Sequence, residues 1–173
     1  IPRQSRKFWN EFSKYLKYSS SGAKFFIGEY TCFIYRTKMI LIITSSEVIN
    51  RPKMIKLTTK QDWYNSFFSM KNAPHYSKSI NKKQLIVTDS IVQNGLYIRR
   101  WNRGDKIFSF TSKKHTLVSD LFINNKFSEY DKLVQPIVVD DKGGIVWIPG
   151  IAHAIIEDNC DVNNMKVLEW KPL

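Results

Sequence analysis

The apolar residues of this 173-residue chain occur as short runs of aromatic and β-branched residues, separated by turn-forming residues. Such runs are typical of strands that are buried on at least one face. Because they do not alternate with helical segments, they predict the mainly β (α+β) class, an antiparallel β-sandwich or barrel-like domain with small helices. The predicted strands are residues 25–27, 30–35, 39–43, 84–88, 96–101, 106–110, 136–139, 145–149, 152–156 and 166–170.

An amphipathic helix is predicted before the first strand, because apolar residues recur at helical spacing over residues 5–18. Small polar residues follow at 19–22, a composition typical of a linker. The sequence therefore predicts an N-terminal helix and linker over 1–21 and a folded domain over 22–173. Since the chain opens on Ile1 rather than Met, we expect it to be part of a longer protein whose upstream part is missing here.

Three short helices are predicted inside the domain. Thr59 and Asp62 have capping-box spacing, before Trp63, Phe67 and Met70 at helical spacing. A second helix is predicted at 117–122, and a third after the capping pair Ser128 and Asp131.

The charge of the chain indicates the class of partner. It has 27 Lys and Arg against 15 Asp and Glu, a formal net charge of +12, and 24 of the basic residues lie at or before Lys132. A field of one sign concentrates a polyanion, and each neutralised phosphate releases counterions, so nucleic acid is the leading partner class. An anionic membrane surface is the alternative. No apolar run approaches the length of a membrane span. With nucleic acid as the leading partner class, no membrane partner is expected.

Motifs that would indicate catalysis are absent from the sequence. It has no glycine-rich phosphate cradle, no nucleophile elbow and no His-Glu-x-x-His helix, so no catalytic residue is predicted. His75, His115 and His153 are far apart, and Cys32 and Cys160 are too few for a four-thiolate zinc site or a disulfide framework, so no metal site is expected. The low cysteine content fits the reducing cytoplasm.

Basic and aromatic residues are interleaved between Arg99 and Lys114, the combination that proteins use to hold phosphates and unpaired bases. The alternative is a solvated strand edge whose cations discourage aggregation. Arg103, Gly104 and Asp105 are predicted to form a turn between two strands, and the acids at 140–141 to belong to a hairpin turn.

The segment 96–153 resembles the C-terminal domain of the tRNA(Ile)-lysidine synthetase family. The resemblance is carried by the run Leu-Tyr-Ile-Arg-Arg-Trp-Asn-Arg-Gly-Asp-Lys-Ile, by Val-Ser-Asp-Leu-Phe-Ile-Asn-Asn-Lys-Phe and by Gly-Ile-Val-Trp-Ile-Pro-Gly. Lys113 and Lys114 lie three positions earlier than the family's lysine pair. The family pattern is matched by Arg99, Gly104, Asp105, Asp120, Phe122, Lys126, Pro136, Trp147, Pro149 and Gly150.

This resemblance implies a β-sandwich of unusual topology, which also resembles a domain of the phenylalanyl-tRNA synthetase β subunit. It implies a non-catalytic portion that binds tRNA(Ile) at its acceptor stem, in an enzyme that uses ATP with Mg to join lysine to the wobble cytidine. The expected partners are the tRNA, the N-terminal catalytic domain of the same protein and a second copy of the chain, and no cofactor is expected in this part. The expected tRNA-binding residues are Arg99, Arg100, Arg103, Lys106, Lys113, Lys114, Lys126 and Lys132, and the expected structural residues are Gly104, Asp105, Trp147 and Gly150.

Two other functions are compatible with the sequence. The chain could be a protein-interaction or dimerisation module whose basic face is merely solvated. It could also be a self-sufficient hydrolase, which predicts turnover by the isolated chain. Binding of tRNA that weakens steeply with salt would distinguish a tRNA-binding portion from the interaction module, and we expect no turnover by the isolated chain.

Overall fold

A computed structural model describes residues 3–18, 23–36, 38–45, 54–72, 81–109, 113–154 and 165–172. The helices of these segments are α1 (Arg6–Tyr18), α2 (Asp89–Asn94), α3 (Val118–Asn124) and α4 (Glu129–Val134). The strands are β1 (Lys24–Ile27), β2 (Tyr30–Tyr35), β3 (Lys38–Ile43), β4 (Met54–Lys56), β5 (Lys60–Trp63), β6 (Ser66–Asn72), β7 (Gln84–Thr88), β8 (Tyr97–Arg99), β9 (Lys106–Ser109), β10 (Lys114–Leu117), β11 (Ile137–Val139), β12 (Ile145–Ile148), β13 (Ala152–His153) and β14 (Met165–Pro172).

The chain divides into two compact units, and each has its own core. Unit 1 lies within Ile1–Arg51 and Phe127–Leu133, and unit 2 within Pro52–Lys126 and Val134–Leu173. The predicted division into 1–21 and 22–173 stays a prediction.

Unit 1 contains α1 and the antiparallel sheet β1-β2-β3. Strand alternation places Ile27, Cys32 and Ile34 on the same side of this sheet, where they form a buried cluster with Phe8 and Phe12 of α1 packed against it. The predicted amphipathic helix and the first three predicted strands are thus confirmed. The predicted break at 19–22 lies outside the described residues.

Unit 1 also contains most of α4, whose predicted capping box is confirmed. Ser128 Oγ accepts a hydrogen bond from the Asp131 backbone N–H at 3.0 Å, and Asp131 Oδ2 accepts one from the Ser128 N–H at 2.8 Å. Each side chain thereby satisfies a backbone donor at the start of the helix, which fixes where the helix begins.

Unit 2 is a sandwich of two sheets. One has the strand order β10-β9-β12-β11-β8-β4, with β13 paired to β12, and the other has the order β5-β6-β14-β7. All pairs are antiparallel except β9 with β12, which are parallel. The core between them is formed by Leu57, Trp63, Phe68, Leu85, Val87, Leu96, Ile98, Val138, Trp147 and Leu168.

The predicted mainly β class with small helices is therefore confirmed. Both sheets of unit 2 are open at their edges in the part of the chain that the structure describes, so the architecture is a sandwich and not a closed barrel.

The helix predicted after Thr59 is wrong, because β5 and β6 form a hairpin at this place. The hairpin pairs with β14 along the whole length of β6, from Ser66 to Asn72. Trp63 and Phe68 are fully buried in the core, whereas Phe67 is only half-buried. The spacing of the apolar residues imitates a helix, but pairing with a strand distant in sequence decides the local structure.

Candidate nucleic-acid interface

The predicted site begins at β8, where Arg99 is held by an acid. Its guanidinium makes two hydrogen bonds to the Asp105 carboxylate, at 2.7 Å and 3.0 Å, and a third to the Arg100 carbonyl at 2.8 Å. The side chains of Arg99 and Asp105 are only 14% and 13% exposed. Such a bidentate pair fixes both side chains in one geometry, so most donors of Arg99 are already in use.

Arg100 points to a different partner. Its Nε and a terminal nitrogen donate to the Tyr64 hydroxyl at 2.8 Å and 2.6 Å, and its guanidinium lies 5.7 Å from the centroid of that ring. Both side chains are half-buried. Arg100 therefore joins the strand end to the β5–β6 turn.

The turn after β8 presents Arg103 to solvent. The Asp105 carboxylate accepts a hydrogen bond from the Asn102 N–H at 2.7 Å, and the Asp105 N–H donates to the Asn102 carbonyl at 3.1 Å. Gly104 has φ +92°, a conformation that suits glycine, and a Cβ placed there would meet no atom within 4 Å. The predicted turn is confirmed, and the Arg99–Asp105 pair anchors it.

The hairpin of β9 and β10 carries the next three predicted cations, Lys106, Lys113 and Lys114. All three are exposed. Lys106 is opposite Leu117, and Lys114 is opposite Ser109, so the two lysines lie at opposite ends of the hairpin. Lys114 is the first residue of β10. Lys113 immediately precedes it with φ +51°.

Phe108 and His115 are additional candidates on the same hairpin that the sequence did not identify. They are cross-strand partners, their ring centroids are 5.0 Å apart, and His115 is exposed. Alternation puts them on the face of the hairpin that also carries Lys106. A ring pair beside a lysine can stack with a base while the ammonium binds a phosphate. The strand β10 was not predicted, and without it the pairing had no signal in the sequence.

Lys126 and Lys132 have different surroundings. Lys126 follows α3 with φ +57° and is exposed. Lys132 lies in unit 1, where its ammonium pairs with Glu129 at 2.6 Å on the same helix. The charge of Lys132 is thus partly balanced within α4.

We call the exposed cations Arg103, Lys106, Lys113 and Lys114 the hairpin cations. Within the described residues none of them makes an ion pair. The structure thus separates six of the eight predicted basic residues into Arg99 and Arg100, which are engaged with protein groups, and the four hairpin cations, which face solvent.

Two of the predicted structural residues, Trp147 and Gly150, lie in or beside the core. Trp147 is fully buried, and its indole N–H donates to the Lys82 carbonyl at 3.1 Å. The Gly150 N–H donates to the same carbonyl at 2.9 Å. Gly150 has φ +78°, and a Cβ there would lie 3.3 Å from the Trp170 ring, so a larger residue would be strained in conformation and in space.

Burial shifts the pKa of two titratable groups in the described segments, Cys32 and His153. No group of three or more His, Cys, Asp and Glu side chains there is placed to hold a metal ion. Burial raises the pKa of the Cys32 thiol, which disfavours the nucleophilic thiolate. Burial, together with the charge of Lys82, lowers the pKa of His153. The acid turn is confirmed as structural, because Asp140 Oδ1 accepts hydrogen bonds from the Lys142 and Gly144 backbone N–H groups.

Comparison of the sequence with known proteins identifies similar enzymes. The chain is 34% identical over 77 residues to the tRNA(Ile)-lysidine synthase of Bacillus licheniformis and 31% identical over 99 residues to that of Bacillus subtilis (strain 168). These matches cover 44% and 56% of this chain but only 16% and 21% of the two relatives. No family model matches the chain.

Comparison of the fold gives a consistent result. A solved structure described as the crystal structure of the TILS C-terminal domain superposes with a TM-score of 0.63 and 20% sequence identity. The match covers 69% of this chain and 96% of that chain. No described helix is long and apolar enough to cross a membrane. The chain is thus similar in sequence to part of tRNA(Ile)-lysidine synthases and has the fold of their C-terminal domain.

Proposed function

We propose that this chain is the non-catalytic, tRNA-binding C-terminal portion of an enzyme of the tRNA(Ile)-lysidine synthase type. The observation that carries the proposal is the sequence similarity to two such enzymes. The match to the fold of a TILS C-terminal domain and the exposed hairpin cations support it.

In this proposal the chemistry belongs to another part of the protein. A separate N-terminal catalytic domain would bind ATP with Mg, activate the wobble cytidine of tRNA(Ile) and join lysine to it. This portion would hold the acceptor stem of the tRNA in the cytoplasm. Its role would be to raise affinity and fix orientation, because phosphate contacts position a protein on a nucleic acid without reading its sequence.

The hairpin cations are proposed to contact the tRNA backbone. Arg103 lies on a turn fixed by Asp105, and Lys113 and Lys114 lie where β10 begins, so little backbone entropy would be lost on binding. Arg99 and Arg100 would act mainly by holding this framework, since their guanidinium groups already bind Asp105 and Tyr64.

The first experiment measures tRNA(Ile) affinity by fluorescence anisotropy between 50 and 200 mM salt. The variant combines Lys113→Asn, which tolerates the positive φ, with Lys114→Gln. The slope of log affinity against log salt should become shallower by about one unit for each lost phosphate contact. A control pair, Lys56→Gln with Lys142→Gln, removes the same charge at two other exposed positions of unit 2 and should keep the parent slope.

The outcome also tests the alternative of a protein-interaction or dimerisation module. Exposed apolar residues of unit 1 favour that alternative, since Met39 and Ile43 on the edge strand β3 are 48% and 46% exposed. Absence of tRNA binding even at 50 mM salt, with a dimer in sedimentation, would replace the proposed function with this one.

A further inference from the structure

The helix α1 has two chemically distinct sides. On one side the Phe12 ring lies 5.2 Å from the Phe25 ring of β1, and Phe8 and Phe12 pack on the buried cluster of unit 1. This contact fixes the rotation of the helix about its axis. The same contact therefore determines which residues lie on the opposite side of the helix.

That opposite side is a row of cations. At 100° per residue, Arg6, Lys7, Lys14 and Lys17 fall within an arc of about 100° that is centred opposite Phe8 and Phe12. All four are exposed. Lys7 and Lys14 are two turns apart, about 10 Å along the axis, and point in nearly the same direction. We call these four residues the α1 stripe.

Helix stability does not account for the N-terminal cations of the α1 stripe, Arg6 and Lys7. The positive end of the helix dipole lies at the N-terminus, where Arg6 and Lys7 are unfavourable, and the first turn contains no acid. Among the described residues none of the four cations makes an ion pair. Lys17, in the last turn, complements the dipole, but Arg6 and Lys7 oppose it and would be stabilised by an external anion.

We infer that the α1 stripe binds the phosphate backbone of RNA, as a second contact surface in addition to the hairpin cations. The inference rests on the proposed function, since it assigns a further surface for the same tRNA. Cations along one side of a helix can bind several phosphates, and such contacts contribute affinity irrespective of sequence.

An anionic membrane is the competing occupant, and the packing of α1 argues against it. A helix that binds a bilayer inserts its apolar side into the lipid. In this chain that side is occupied, because Phe8 and Phe12 cover the sheet of unit 1. Four large apolar residues of the helix are exposed. Trp9 and Leu16 lie on one flank of the packed side and Tyr15 and Tyr18 on the other, so they do not form one continuous apolar face.

The test uses the whole 173-residue chain with Lys7→Gln and Lys14→Gln combined. Glutamine has nearly the helix propensity of lysine, so far-UV circular dichroism should be unchanged. The salt slope for tRNA(Ile) binding should become shallower by about two units. Lys7→Arg with Lys14→Arg should retain the parent slope, as should the Lys56→Gln, Lys142→Gln control pair.

The possible failures are distinguishable. If the parent chain and the hairpin variant behave as proposed but the α1 variant keeps the parent slope, the inference is wrong and the proposed function stands. If the parent chain binds no tRNA, both are wrong. A third measurement tests binding of the parent chain and the α1 variant to phosphatidylserine vesicles. If the parent binds the vesicles, the α1 variant does not, and the salt slope for tRNA is the same in both, the α1 stripe is a membrane-binding surface and the inference is wrong.

Discussion

At the scale of single residues, neighbouring groups decide what a cation can do. Arg99 and Arg103 are four positions apart and chemically identical, yet Arg99 is paired with Asp105 while Arg103 is exposed on the turn that this pair holds. An arginine whose donors are satisfied inside the protein gains little from a phosphate, because it would first have to give up its carboxylate.

Removing the Arg99 side chain should mainly lower the stability of the fold, because Arg99 is engaged with Asp105 and not with solvent. Arg99→Ala leaves the Asp105 carboxylate without its partner in a site where little solvent reaches it. We expect a loss of about 2–4 kcal/mol in the free energy of unfolding, measured by urea denaturation. Arg103→Ala is the matched control, and it should change stability by no more than about 0.5 kcal/mol while reducing the salt slope for tRNA.

The opposite result would reassign the two residues. If Arg99→Ala keeps its urea midpoint but has a shallower salt slope, Arg99 contacts the RNA directly. In that case the pair with Asp105 must open on binding.

At the scale of elements, β14 lies between β6 and β7 in its sheet and carries an acid, Glu169, with two lysines nearby. Glu169 is opposite Ser69 on one neighbouring strand and Gln84 on the other. Gln84 donates to its Oε1 at 2.8 Å, and the Lys171 ammonium lies 3.2 Å from its Oε2. The hydrogen bond from Gln84, followed by that from Lys171, lowers the pKa of Glu169 below its ordinary value.

This lowered pKa makes part of the stability dependent on pH. The folded protein binds a proton on Glu169 less readily than the unfolded chain, so the contribution is present above the unfolded pKa of about 4.3 and lost as the pH falls through the folded pKa. We expect Glu169→Gln to have a flatter decline of unfolding free energy from about pH 5 downward. Gln84→Met removes the largest cause of the lowered pKa of Glu169, so the unfolding free energy of this variant should also decline less steeply with falling pH, by a smaller amount than in Glu169→Gln. If the unfolding free energy of both variants declines below about pH 5 as steeply as that of the parent, this account is contradicted.

At the scale of the whole molecule, each unit has its own buried cluster. In unit 2 Phe68 is fully buried between the sheets, with its ring 5.9 Å from the Trp147 ring in an edge arrangement. The two sheets meet through such side chains, so their burial holds the two sheets of unit 2 together.

A cavity in that core should therefore be costly. Phe68→Ala should lower the unfolding free energy of unit 2 by about 3–5 kcal/mol. Tryptophan fluorescence during urea denaturation is a suitable measurement, because four of the five tryptophans lie in unit 2. The control Ile123→Ala removes a side chain that is 66% exposed and should shift the free energy by no more than about 0.5 kcal/mol. A parent-like urea midpoint for Phe68→Ala would show that the sheets do not depend on this contact.

The sequence by itself determined the features that depend on nearby residues. The helix α1, the strands of unit 1, the capping box of Ser128 and Asp131 and the turn at Asp140 were predicted because periodicity and turn chemistry act over a few residues. The resemblance to the lysidine synthetase family was also visible in the sequence, since it rests on the order and spacing of particular residues.

Only the tertiary structure decided what depends on distant partners. The segment around Trp63 and Phe67 is a hairpin because β6 pairs with β14, about a hundred residues further along the chain, and local spacing carries no information about that pairing. Likewise, Arg99, Arg103 and Lys106 are equivalent cations in the sequence. Folding brings an acid to one of them and leaves the others in solvent, because burial makes an unpaired charge costly.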